Sequence, residues 1–104
     1  MGVLTDTFTL NNGNPIPKVG FGTWQIPDGT ATYNAVRTAL DVGYRHIDTA
    51  FGYGNEASVG RAVRDSGLSR GEVFITSKLP ADAKSHDNAA ARLNGSVSNL
   101  DLGY

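Results

Sequence analysis

Gly43-Tyr44-Arg45-His46-Ile47-Asp48-Thr49-Ala50-Phe51-Gly52-Tyr53-Gly54-Asn55-Glu56 is the stretch whose reading decides the fold. Arg45 to Asp48 reads as a strand by the two-residue period, with Ile47 on one face and His46 and Asp48 on the other. Two glycines among small residues stop the pattern between Thr49 and Gly54. Asn55 then stands as an N-cap, Glu56 lies in the first helical turn, and Val59, Ala62 and Val63 form an apolar stripe. A strand, a loop and a helix in that order put Asp48 at the carboxyl end of a strand and Tyr53 in the loop after it. In parallel α/β folds that end carries the chemistry.

The same unit repeats loosely on both sides. Upstream, Val19 to Thr23 is a strand interrupted by Gly20 and Gly22, which let another backbone or a ligand approach closely. Asp28-Gly29-Thr30 opens a helix to about Val42, with Tyr33, Val36, Ala39 and Leu40 inward and Gly43 as its left-handed stop. Downstream, Gly67 ends the second helix. Val73 to Lys78 is a β-branched strand with Phe74, Thr76 and Lys78 on one face. Asp87 or Asn88 caps a last helix with the stripe Ala90, Leu93, Val97 and Leu100, and Gly103 stops it. Ahead of all this, Phe8-Thr9-Leu10 and Ile16 flank Asn12-Gly13, whose positive φ angles suit a tight hairpin, while Pro15 and Pro17 confine the second arm to an edge. A hairpin followed by β-α-β-α-β-α predicts an α/β fold with a parallel sheet and right-handed crossovers, in residues 1–104 as one unit with no internal boundary.

The 104 residues make one domain's worth of chain, with a net charge of -1 and no cysteine. Near-neutral charge points away from nucleic acid and from anionic membranes. Disulfides and thiolate metal sites are excluded. No apolar run would cross a membrane and no signal peptide is visible, so a cytoplasmic location is expected. Met1-Gly2 begins as a myristoylation motif does, but Asp6 stands where Ser or Thr is required.

Asp48 and Lys78 end successive strands and Tyr53 follows Asp48 closely, so parallel neighbours would bring the three side chains into one pocket. A lysine beside a tyrosine favours the phenolate and lowers a phenol's pKa from about 10. A carboxylate beside that lysine keeps it charged and in place. Such a phenol is a usable general acid near neutral pH. Each residue also has a structural reading: Tyr53 as loop packing, Asp48 as a cap for the Ala50 or Phe51 backbone, Lys78 as a solvated strand end. His46 shares the face of Asp48 and reads as a hydrogen-bonded interior histidine; His86, in a polar loop, reads as solvated. Two histidines so far apart make a poor metal site, and none is assigned. Gly20-Phe21-Gly22 lacks the third glycine and the following helix of a dinucleotide fingerprint. Trp24 is either core or the wall of a ligand site.

Gly20-Phe21-Gly22-Thr23-Trp24, the block Gly43 to Glu56, Val59-Gly60-Arg61-Ala62 and Val73 to Leu79 together resemble the aldo-keto reductases, in order and over essentially the whole chain. The GFGTWQ form is most similar to bacterial members related to diketogluconate and methylglyoxal reductases. The resemblance implies a (β/α)₈ TIM barrel, closed below by the hairpin, with NADPH extended across the top and an aldehyde or ketone reduced to an alcohol. It implies Tyr53 as proton donor, with Lys78 and Asp48 tuning its acidity, and hydride supplied by the cofactor. Gly22, Thr23, Trp24 and Asp48 match positions near the nicotinamide, and Trp24 and Tyr53 positions facing substrate.

A barrel of this kind needs about 250 residues, so the chain accounts for three βα units of eight. The family's catalytic histidine, on strand four, would lie beyond Tyr104; His46 is not that residue. The chain by itself is therefore expected to be inactive, and to associate with itself or with the rest of a barrel. The rival reading is a non-catalytic binding, regulatory or assembly module on the same fold. Intact Asp48, Tyr53 and Lys78 favour an enzymatic parent.

Overall fold

The computed structural model describes residues 3–104, so the myristoylation reading of Met1-Gly2 lies outside the described residues. A hairpin comes first, β1 (Thr7–Thr9) against β2 (Pro15–Pro17), antiparallel with Phe8 opposite Ile16. Its turn differs from the expected tight pair of positive φ angles. Only Gly13 is left-handed, at φ 89°, and Asn12 acts through its side chain, whose Oδ1 accepts the Asn14 N–H at 3.0 Å. An Asx turn of this kind mimics a backbone turn and needs no strained asparagine.

The main sheet has three parallel strands in the order β3 (Phe21–Gly22), β4 (His46–Asp48), β5 (Phe74–Thr76). Phe21 stands opposite Ile47, and Asp48 opposite Thr76. The strands are shorter than the sequence suggests, but the pairing runs on past β4 and β5. Thr49 N–H donates to Thr76 O at 2.8 Å, and Phe51 N–H to Lys78 O at 3.1 Å.

Helix α1 (Thr30–Val42) and helix α2 (Glu56–Asp65) cover one face of this sheet. Ile47 points into that layer and is fully buried with Val36, Ala39, Leu40, Val59, Ala62, Val63 and Val73. The inward face of α1 includes Thr32, with Tyr33 only partly covered. Thr32 can be buried because its hydroxyl donates to Pro27 O at 2.7 Å. Gly43, at φ 115°, closes α1 as a left-handed cap. The opposite sheet face carries half-buried His46, Phe74 and Thr76, whereas Phe21, in register with Ile47, packs against the core on the helix side. His46 is tied down there: Nε2 lies 2.8 Å from Thr76 Oγ1 and the ring stacks edge-on to Phe74. A Cβ at Gly20 would meet that imidazole at 3.1 Å, so the ring would have to give by a few tenths of an ångström.

Helix α3 (His86–Leu100) departs from its predicted limits and face. Ser85, not Asp87 or Asn88, caps it by accepting the Asn88 N–H at 3.1 Å. It ends before Gly103, with Asp101 in the left-handed region at φ 52°. Arg64 makes that stop possible, donating to Leu100 O at 2.8 Å and to Asp101 O at 3.2 Å. The apolar stripe is buried only at its end: Leu100 packs against the core, while Leu93 is 56% and Val97 43% exposed. Elsewhere the contacts of α3 are close ones: Gly95 lies against the Phe51 ring, Ser96 is buried, and the Leu100 backbone meets Gly60 of α2. Leu93 and Val97 line a groove beside the outer edge of β5, with Ile75, Leu79 and Tyr104.

Candidate active site

Three chain segments meet at the carboxyl ends of the strands. Asp48 is the last residue of β4, half exposed on the face away from the helices. A single 3₁₀ turn (Phe51–Tyr53), closed by left-handed Gly54, follows it and brings the Tyr53 ring back over the strand ends. Lys78 lies two residues beyond β5, where its backbone is fixed by the Phe51 N–H.

Lys78 Nζ joins these pieces. It donates to Asp48 Oδ1 as an ion pair, donates to Thr49 O at 2.9 Å and reaches Tyr53 OH at 3.5 Å. The ammonium also sits 5.2 Å from the centre of the Tyr53 ring. Partial burial works against the charge on Lys78, but the hydrogen bond and charge of Asp48, and then Tyr53, outweigh it and hold Lys78 above the ordinary lysine value of 10.5. A permanent cation beside a phenol oxygen stabilises the phenolate left when that oxygen gives up a proton. The cluster can therefore deliver a proton to an oxygen atom placed above it.

Beneath the cluster lies a buried polar layer that sequence reasoning missed. Asn55 was expected to cap α2, but its side chain makes no cap bond. It is wholly buried, donating to Thr23 O at 2.9 Å and Ile26 O at 3.1 Å, and accepting from Thr49 Oγ1 at 3.0 Å and Thr23 Oγ1 at 3.3 Å. Thr23, also fully buried, gives its N–H to Asp48 O at 3.0 Å and its hydroxyl to Thr49 at 2.9 Å. Glu56, read only as a first-turn acid, is 2% exposed; it accepts from Ser77 Oγ at 2.5 Å and from Asn99 Nδ2 at 3.1 Å. Gly-Asn-Glu after an aromatic loop gave no cue that both polar side chains turn inward, since capping and burial look alike in sequence.

Of the other residues singled out, Gly22 ends β3, and a Cβ there would meet nothing within 4 Å. Trp24, two residues on, is 67% exposed. His46 lies a step deeper than Asp48 and is held by Thr76, outside the cluster; His86 is at the exposed start of α3. Among the described residues no group of three or more His, Cys, Asp and Glu could hold a metal ion. No helix among them is long and apolar enough to cross a membrane. A concavity of about 410 Å³ lies at the other end of the strands, between Pro15 of the hairpin, Phe74 and Tyr104. It contains none of the clustered residues and belongs to the end of the sheet that serves stability in parallel barrels.

A hairpin, three parallel βα units and a polar cluster at the strands' carboxyl ends define a segment of a (β/α)₈ barrel. The sequence model of the Aldo/keto reductase family matches residues 18–104, and the chain belongs to that family. It is 47% identical over 100 residues to a Saccharomyces cerevisiae protein named glycerol 2-dehydrogenase (NADP(+)), covering 96% of this chain and 31% of that one. Among solved structures, an aldo/keto reductase from Brucella melitensis superposes with a TM-score of 0.90 at 41% identity, over 96% of this chain and 39% of that one. A Bombyx mori aldo-keto reductase in complex with NADP superposes with a TM-score of 0.87 at 35% identity, over 99% and 36%. The chain thus spans about a third of the length of the curated relatives it matches.

Proposed function

We propose that these residues form part of the active site of an NADPH-dependent reductase that converts small aldehydes or ketones to alcohols, in the cytoplasm. The observation that carries this reading is Lys78 Nζ standing between the Asp48 carboxylate and the Tyr53 hydroxyl. Bound NADPH supplies the hydride to the carbonyl carbon. Tyr53 donates its phenolic proton to the carbonyl oxygen, and Lys78, kept charged by Asp48, stabilises the phenolate that remains. Gly22, Trp24 and Asp48 offer a fitting surface for a flat nicotinamide: an open glycine, an exposed indole and a carboxylate on one rim. Thr23, with its hydroxyl committed inward, serves that rim by fixing the backbone of β3 to Asp48. Trp24 and Tyr53 face the substrate. Support comes from the family membership and from relatives named for NADP.

The activity belongs to a barrel that contains this segment; assayed alone, the 104 residues are expected to be inactive. In the complete barrel, Tyr53→Phe is expected to lower kcat for carbonyl reduction at least about 10²-fold, the lower range for loss of a general acid. NADPH affinity, followed by fluorescence titration, should change little, because the substitution removes one oxygen and no packing. Lys78→Met should act in the same direction. Turnover near the wild-type rate in Tyr53→Phe would end the proton-donor role.

A further inference from the structure

We infer that Glu56 is a positioning residue for Lys78: its buried carboxylate, bridging Ser77 after β5 to Asn99 on α3, sets the side and height from which Lys78 enters the cluster. The inference rests on the reading of Lys78 and Tyr53 given above.

Glu56 is 2% exposed, and among the described residues no lysine, arginine or histidine forms an ion pair with it. Carboxylates are seldom buried this way, and an apolar residue in the same space often costs a fold nothing or stabilises it. The local field is favourable, since Glu56 opens α2 at the positive end of the helix dipole. That makes the charge tolerable without saying what it does there. Its two partners supply the reason. Ser77 donates at 2.5 Å and Asn99 at 3.1 Å, both into one acceptor-only group. Helix α2, the β5 end and helix α3 are thereby joined at a single carboxylate.

Ser77 immediately precedes Lys78 in an extended segment, where successive side chains leave on opposite sides. Holding Ser77 toward the helices directs Lys78 to the other side, where Asp48 and Tyr53 wait. The Thr76 and Lys78 carbonyls on either side are held by the Thr49 and Phe51 N–H groups, so Ser77 is the remaining handle on this turn. Lys78 itself has a long flexible stem and a half-exposed ammonium. Its place near Tyr53 OH, already at 3.5 Å, depends on where its backbone starts. The groups facing the ammonium are Asp48 from β4, and the Thr49 carbonyl and Tyr53 from the loop after it; Glu56 is not one of them, and acts through position.

The test uses the complete barrel with Glu56→Ala, Glu56→Gln and Ser77→Ala. A misplacement on the order of 1 Å can cost about 10²-fold. Glu56→Ala should therefore lower kcat by about ten- to a hundredfold while the carbonyl KM stays within about threefold, the pattern of an interaction felt only in the transition state. Glu56→Gln keeps an acceptor for Ser77 and can donate to Asn99 once that amide flips, so it should recover most of kcat. In parallel, the titration of Lys78, read from its ¹³Cε resonance, should move back toward the ordinary lysine value in Glu56→Ala and return in Glu56→Gln. A folded Glu56→Ala with wild-type kcat and an unmoved Lys78 titration would overturn the inference and leave Glu56 merely structural. Should Glu56→Ala not fold, Ser77→Ala, which removes only the handle, must shift both readouts in the same direction; unchanged readouts there overturn it equally. If Tyr53→Phe proved active, the proton-donor reading would fall while the Lys78 titration still decided the positioning claim.

Discussion

Two charged side chains are fixed by hydrogen-bond partners, Glu72 within its own turn and Lys78 across to the neighbouring strand, and their titration should report it. Glu72 accepts from the Ser69 N–H at 2.8 Å and from the Ser69 hydroxyl at 3.0 Å, and those bonds hold its carboxyl below the ordinary value of 4.5. A depressed folded value means stabilisation that is complete above the unfolded value and lost as pH falls through the folded one. Glu72→Gln keeps an oxygen for Ser69 and removes the charge. In urea melts across pH 2 to 7, the advantage of wild type over the variant should therefore be complete above about pH 4.5 and close as pH falls below it through the lower folded value. Lys78 runs the other way. Its raised value places the benefit of its ion pair below the ordinary 10.5, fading as pH climbs past it, so Lys78→Met should approach wild-type stability only in strong alkali. Both groups are exposed enough that the gaps should be small. A gap that widened in acid for Glu72, or in alkali for Lys78, would contradict the assigned partners.

At the scale of elements, the tightest fit is α2 against α3. A Cβ at Gly60 would lie 1.9 Å from the Leu100 carbonyl oxygen, and backbone at a helix end cannot simply rotate away. Alanine in an exposed helix would gain about 1 kcal/mol over glycine. Overpacking costs about 1–3 kcal/mol and more where backbone must move, so Gly60→Ala should be net destabilising. Gly95→Ala meets only the edge of the Phe51 ring at 3.0 Å, which can give way, and should cost less. Denaturant midpoints of the two variants in one background would rank them; the reverse order would mean that α3 slides freely on α2. The same contact shows where sequence reading runs out. Val59, Ala62 and Val63 announced the inner face of α2 by spacing alone, because an amphipathic helix on a sheet obeys periodicity. Ile47 and Asp48 divided correctly between layers for the same reason, and left-handed Gly43 was legible from its place after α1. The spacing of Ala90, Leu93, Val97 and Leu100 was right only at its end: Leu100 reaches the core, but its backbone meets Gly60 of α2, and a close backbone approach leaves no apolar signature. Asn55 and Glu56 misled for a related reason: polar residues at a helix start read as caps, and only tertiary partners turn them inward. Asp48, Tyr53 and Lys78 were legible as a group since strand ends and loop lengths placed them. The Ser77–Glu56–Asn99 bridge joins three distant segments and left no local trace.

At the scale of the whole molecule, the parallel sheet has two outer edges, on β3 and on β5, and no further strand among the described residues pairs with either. An uncovered edge offers its N–H and C=O groups to any chain that can pair with it. Beside β5 the invitation is apolar as well, since Leu79, Leu93, Val97 and Tyr104 are exposed around the groove and Trp24 stands out near β3. Covering each large side chain would return about 1.5–3 kcal/mol. A few of them together therefore rival the whole stability of a small domain, about 5–15 kcal/mol. The core that does exist, built on Ile47, Val36, Val59 and Val63, holds α1 and α2 to the sheet, and the hairpin reaches the inner face where Pro17 O lies 3.4 Å from His46 Nδ1. The expected result is a chain that keeps its βα units but does not stay alone. Sedimentation of the 104 residues should show species heavier than the 11.0 kDa monomer, and a dye that fluoresces on apolar surfaces should bind. Charged substitutions at Leu93 and Val97 should shift the population toward monomer without loss of helix signal, since neither residue is needed for the α2–α3 contact. A single 11.0 kDa species that unfolds cooperatively and leaves the dye dark would mean that the groove closes on itself and that the exposed edges do not recruit.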